Sequence, residues 1–128
     1  MNLHINPAEL TKPTGYTHVV KSSPGTTIYI SGQIAFDKDA KVVGVGDFRA
    51  QTVQVFENLK AALASCGATF ADVVKVTTFV TDMKNAPILR EVRAGYFGAH
   101  PPAGTLVEIS ALVIPELMIE IEAIAVVA

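Results

Sequence analysis

Two helix-period stretches interleave with strand-period stretches along 128 residues, and this alternation limits the possible folds more than any other feature of the chain. In the first helix Thr52, Phe56, Leu59 and Leu63 recur at i, i+4, i+7 and i+11, with Val55, Ala62 and Cys66 beside them, giving one apolar stripe. Asp47 opens it as a side-chain cap, and Gly67 stands where a left-handed C-cap glycine belongs. The second helix runs from Asn85 to Phe97, with Pro87 in its first turn and Gly98 at its end. Val73 to Thr81 alternates as a strand, and Thr27 to Ile30, Leu106 to Ser110 and Met118 to Val126 read as further strands. His18 to Lys21 is a short extended piece, Ser22 to Gly25 a turn, and Asp37 to Lys41 a polar turn. Val42 to Gly46 reads as a loop or short edge strand. The first ten residues lack periodicity and read as an arm.

The order strands, helix, strand, helix, strands predicts an α/β fold, one mixed sheet with two helices on one face. The chain is a single domain over residues 1–128. Two helices cover one face of a sheet only. On the Val73–Thr81 strand Val74, Val76, Thr78 and Val80 share one parity, and Val73, Thr77 and Phe79 the other, so neither face is polar enough to be plainly solvated. Composition agrees: only 17% of the residues are charged against a norm of about 25%, and the mean hydropathy is +0.40. A domain this small has much surface to cover, so other copies of the chain are expected to cover part of it.

Charge and cysteine content exclude several classes. The net charge is −2 and the pI about 5.9, with the basic residues scattered, so no nucleic-acid partner is expected. One cysteine, Cys66, makes no internal disulfide and reads as a small core residue. No run approaches the roughly 18 apolar residues of a membrane span. The N-terminal segment lacks the basic-then-apolar pattern of a signal peptide. A cytoplasmic protein with no membrane partner is the expectation.

Few residues carry chemistry by pattern alone. Glu120 and Glu122 are two apart in a strand and share a face, with Ile119, Ile121, Ala123 and Ala125 on the helix side. Glu122 reads as a solvated or interface glutamate, and Glu120 equally as that or as a general acid/base or water-positioning group. Ser31-Gly32 at a strand end would let a ligand approach the backbone, although an ordinary strand exit is the commoner use of such a pair. His4, His18 and His100 have no metal-ligand spacing, so no metal and no cofactor is expected. Gly44-Val45-Gly46 lacks the third glycine of a dinucleotide fingerprint, Arg49 standing there. Arg90 and Arg93 lie one helical turn apart, which usually marks a solvated face.

Several segments together resemble the Rid family (reactive intermediate deaminase, YjgF-like). They are Tyr29-Ile-Ser-Gly-Gln-Ile34, Gln51-Thr-x-Gln-Val-x-Glu-Asn-Leu-Lys60, Asp72-Val-Val-Lys-Val-Thr-Thr-Phe-Val-Thr-Asp82, Tyr96-Phe97, Pro101-Pro-Ala103, Val107-Glu108 and Ile119-Glu-Ile-Glu-Ala-Ile-Ala125. They cover nearly the whole chain in the family's order. The resemblance implies a chorismate-mutase-like fold and a homotrimer with clefts between subunits. It also implies hydrolysis of enamines or imines to keto acids and ammonia, amino-muconate-like acids being the substrates of one branch. By the same resemblance the residue matching Glu120 positions water, and those matching Ser31, Gly32 and Tyr16 line the cleft; beside them Thr105 is expected to hold substrate.

The chain departs from the family pattern at two positions. Gly104 follows Pro102-Ala103 where the family has an arginine that grips the substrate carboxylate. Arg90 stands where many members have asparagine, and two readings remain open for it: a surface arginine, or a replacement cation from the opposite wall of the cleft that favours a differently shaped or longer anion. For the chain as a whole the alternative to a hydrolase is a non-catalytic trimer that binds a small anionic ligand.

Overall fold

A computed structural model describes residues 2–128. Four strands form the main sheet in the order β3 (Thr26–Gln33), β6 (Ile119–Val127), β4 (Val73–Val80), β5 (Ala103–Glu108). Only the β4–β5 pair is parallel, the connection being made by α2 (Ala86–Phe97). The longer helix α1 (Phe48–Ala64) packs on β3 and β6 and against α2. Both helices therefore lie on one face, as the strand–helix order requires. No helix among the described residues is long and apolar enough to cross a membrane.

Local signals in the sequence place the helix ends. The Asp47 carboxylate accepts from the Ala50 N–H at 3.0 Å, satisfying a first-turn donor. Gly98, at φ +63°, closes α2, its N–H reaching the Ala94 carbonyl. The apolar stripe of α1 is buried as read: Val55, Phe56, Leu59 and Leu63 are almost fully covered, and they meet Ile119, Ile121, Ala123 and Ala125 from β6. Phe56 stacks on Tyr96 with ring centroids 4.7 Å apart, and Phe70 and Phe97 complete an aromatic knot joining the two helices.

A buried polar residue, Gln51, stitches α1 to two loops. Its Nε2 donates to the Gly44 carbonyl at 3.1 Å and the Glu116 carbonyl at 2.8 Å. Its Oε1 accepts from the Met118 N–H at 2.8 Å. Every hydrogen-bonding direction of the side chain that faces protein is used, so its burial carries no unsatisfied group.

Several boundaries differ from the sequence reading, each for a tertiary reason. The first residues are not a free arm: β1 (Asn2–Ile5) pairs antiparallel with β2 (Val19–Ser22) in a separate two-stranded sheet. Strand β3 continues through Ser31-Gly32 to Gln33, because a bulge between Ile30 and Gln33 lets the ladder with β6 go on. Strand β5 spans Ala103–Glu108 rather than starting at Leu106, since its register begins with Lys75 opposite Ala103. In β4 a register shift between Val73 and Lys75 turns Val73 to the same side as Val76, which breaks strict alternation. Cys66 is exposed rather than in the core. Helix α1 ends at Ala64, and the chain turns at Cys66, beyond the last buried leucine, Leu63.

The sheet face away from the helices is bare in the protomer and mixed in character. Tyr29 is 79% exposed there and Val107 is also exposed. Phe79, Thr77, Glu120 and Glu122 share that face, because their strand neighbours Val76, Thr78, Val80, Ile119, Ile121 and Ala123 are the buried set.

Candidate functional site

The cleft begins with a tie between two loops. The buried Thr17 donates its hydroxyl to the Pro101 carbonyl, and its N–H donates to the Pro102 carbonyl at 3.0 Å. These bonds hold Tyr16 beside the start of β5. Gly104 lies opposite Val76 in the parallel ladder, so it faces the helix side of the sheet. Between Tyr16, Gly104, Val76 and the flank of α2 is a cleft with a volume of about 220 Å³.

Gly104 keeps this cleft open. A Cβ at that position would sit 3.5 Å from the Val76 Cγ2 and 4.0 Å from the Tyr16 Cβ, both ordinary contacts. A larger side chain there would project into the space. The glycine thus leaves this wall of the site open and uncharged.

The positive charge comes from the opposite wall. Arg90 and Arg93 of α2 both line the cleft. Arg90 is exposed and Arg93 half-buried. Gly15, at φ +77°, presents bare backbone to Arg93: a Cβ there would lie 2.7 Å from its Nη2. Burial, and then the like charge of Arg90, lower the Arg93 pKa below its ordinary value. No ion pair reaches either arginine among the described residues. The nearest candidate in sequence, Glu91, is taken by Arg49 at 2.7 Å. Thr14, Tyr16 and Thr78 also line the cleft, with apolar surface from Val76 and Leu106.

The remaining sequence candidates lie on the other face. Glu120 sits opposite Phe79 in the β4–β6 ladder, on the bare side. Its carboxylate lies across Gly32: a Cβ on that glycine would be 2.1 Å from Oε2. Glu120 is half-buried and, among the described residues, has no hydrogen bond or ion pair, so its lone pairs are free to hold water. Ser31 is exposed beside it, and its carbonyl accepts from the Gln33 side chain at 3.1 Å. Thr105 borders the cleft, but its register opposite Thr77 turns its hydroxyl to the bare face. There it accepts from the Lys75 Nζ at 2.9 Å.

One protomer therefore brings together Tyr16, Arg90 and Gly104, adds Arg93 and Thr14, and leaves Ser31, Gly32 and Glu120 across the sheet. By sequence alone Arg93 reads as part of a solvated face. Its spacing of one turn from Arg90 is the available signal, but only the path of the Thr14–Tyr16 loop, with Gly15 against its guanidinium, shows that Arg93 is partly covered. No group of three or more metal-ligating side chains occurs among the described residues.

The family model described as Endoribonuclease L-PSP matches residues 7–127. A RutC family protein of Pyrococcus horikoshii is 43% identical over 115 residues, which is 89% of this chain and 89% of the relative. The crystal structure of a Rid family protein of Yersinia pestis, YyfB, superimposes with a TM-score of 0.92 at 40% identity, covering 98% of each chain. RidA of an Antarctic Psychrobacter superimposes with a TM-score of 0.75 at 36% identity, covering 83% of this chain and 85% of that one.

Proposed function

Because the chain belongs to the Rid (YjgF-like, L-PSP) family, we propose that it is a small-molecule hydrolase of the deaminase type. It acts on enamines, imines or related reactive intermediates, amino-muconate-like acids among them, in a cleft completed by a second copy of the chain in a homotrimer. The observation that carries this reading is Glu120. A strand carboxylate that is half-buried, unpaired and fitted against a glycine is costly to keep unless it serves water or a ligand.

The split of the candidate residues fits a shared site. One copy supplies Tyr16, Gly104, Thr105 and Arg90 along its edge strand β5, and a neighbour whose own bare sheet face packs against that edge supplies Glu120, Ser31 and Gly32. The exposed Tyr29 and Val107 on that face give the association its apolar driving force. In the reaction, water held by Glu120 adds to the electrophilic imine carbon and gives its proton to the carboxylate. That proton passes to the nitrogen, giving a carbinolamine; the carboxylate then moves the hydroxyl proton to the nitrogen as the C–N bond breaks and the C=O bond forms, and a keto acid and ammonia leave. No cofactor enters this scheme.

Gly104 favours a second reading, a trimer that binds a small anion without turning it over. The missing charged hydrogen bond is worth on the order of 1.5–3 kcal/mol, at least tenfold in rate. Ammonia release from imines generated in situ decides between them. The enzyme reading expects turnover by the wild type that falls by about a hundredfold or more in Glu120→Gln. Turnover absent in the wild type and present in Gly104→Arg supports the binding reading. Sedimentation tests the assembly: a monomer at micromolar concentration would overturn the shared site. Cleavage of RNA is not expected from a chain of net charge −2, since affinity for the phosphate backbone depends on neutralising several phosphates.

A further inference from the structure

We infer that the cleft between α2 and the Thr14–Tyr16 loop takes a short dicarboxylic acid, one carboxylate on Arg90 and the other on Arg93. This rests on the reading of that cleft as the ligand site and adds the charge and shape of the ligand. The grounds are geometric. Two guanidinium groups, one helical turn apart on α2, line the same space. No carboxylate among the described residues pairs with either, and the neighbouring Glu91 is bound to Arg49 at 2.7 Å. Within the protomer these two positive charges have no carboxylate partner, and the single Glu120 that a neighbour brings to the cleft cannot balance both, so the site favours an anionic ligand with a second carboxylate for the second arginine.

Arg93 is held for this role. Its guanidinium rests against the backbone of Gly15, whose missing side chain leaves the room it occupies. Such a fixed, planar fork loses little freedom when it grips a carboxylate in two parallel hydrogen bonds. Between the arginines and β5 the surface is apolar, from Val76 and Leu106, and Gly104 leaves it uncovered. A hydrocarbon chain fits that surface. Thr14 and Tyr16 line the roof. With glycine at position 104 the sheet wall carries no charge, and both cations of the cleft stand on the helix.

Binding by isothermal titration tests this without reference to turnover. The probes are succinate, propionate and inorganic phosphate, with the intact assembly of the wild type, Arg90→Gln, Arg93→Gln and Arg93→Lys. Succinate is expected to bind saturably and propionate about tenfold or more weakly. Each arginine-to-glutamine change should weaken succinate by about tenfold or more, and Arg93→Lys should restore only part of the loss. Arg90 is exposed, so Arg90→Gln keeps the test valid if the Arg93 variants fail to fold. Equal affinity for propionate and succinate, binding of phosphate alone, or succinate affinity unchanged in Arg90→Gln would overturn the inference. A wild type that binds succinate but releases no ammonia from any imine would leave this inference standing and refute the hydrolase.

Discussion

Gly32→Ala separates the role of the Glu120 carboxylate from the stability of the sheet. The backbone at Gly32 is not in the left-handed region, so alanine is conformationally allowed. Its Cβ would lie 2.1 Å from the Glu120 Oε2, 2.7 Å from Cδ and 3.0 Å from Cγ. The carboxylate must leave, and it can, because it is the far end of a half-exposed side chain. Rotation away from a preferred geometry costs about 0.5–1.5 kcal/mol, while replacing glycine stabilises by about 0.4–1 kcal/mol through the unfolded chain. The net change in folding free energy is expected within about 1 kcal/mol. Displacing a water-holding group by an ångström or more costs about a hundredfold in rate, near 2.7 kcal/mol of barrier. The effect on turnover should therefore exceed the effect on stability. Ammonia release and urea unfolding, measured on the same preparation, read the two. Gly95 gives the control: nothing lies within 4 Å of a Cβ there, it is inside α2, and Gly95→Ala should stabilise by about 0.5–1 kcal/mol with turnover unchanged. Full activity in Gly32→Ala, or an activity loss matched by a collapse in stability, would refute the water-positioning role.

Gln51→Leu should destabilise by about 3 kcal/mol in urea unfolding, because three backbone partners at Gly44, Glu116 and Met118 lose their bonds at about 1 kcal/mol or more each; a loss under about 1 kcal/mol would show that water replaces the side chain. The Tyr96 hydroxyl, raised to about 12 by burial and by the bond it donates to Glu57, should titrate near that pH by ultraviolet difference spectroscopy. Its ordinary value is 10.0, so its contribution to stability is complete below about pH 10 and is lost as the pH rises through about 12. Tyr96→Phe should remove that alkaline component. Cys66 should react stoichiometrically with a thiol reagent in the native protein, since it is exposed, and Cys66→Ser should change stability by no more than about 0.5 kcal/mol.

Much of the scaffold was legible because it is written in short-range periodicity. The stripe from Thr52 to Leu63, the Asp47 cap and the inward run Ile119, Ile121, Ala123, Ala125 each follow from a repeat of 3.6 or 2 residues, and each was found buried or capped as read. The same arithmetic put both helices on one face and left the other bare. Pairing partners were not legible. Asn2–Ile5 becomes a strand only because Val19–Ser22 lies beside it, and Ala103–Glu108 starts at Ala103 only because Lys75 sets the register.

The candidate site divides the same way. Amino-acid identity alone established that position 104 carries no charge, that Arg90 and Arg93 share a helical face, and that Glu120 points away from the helix layer. Which of these groups meet depended on long-range contacts: the hydroxyl of Thr17 on the Pro101 carbonyl brings Tyr16 over Gly104, the turn at Gly15 makes room for Arg93, and the sheet itself separates that cleft from Glu120. Side-chain direction is a local property of helix and strand geometry. Proximity between segments distant in sequence is not, and it arises only when the chain packs.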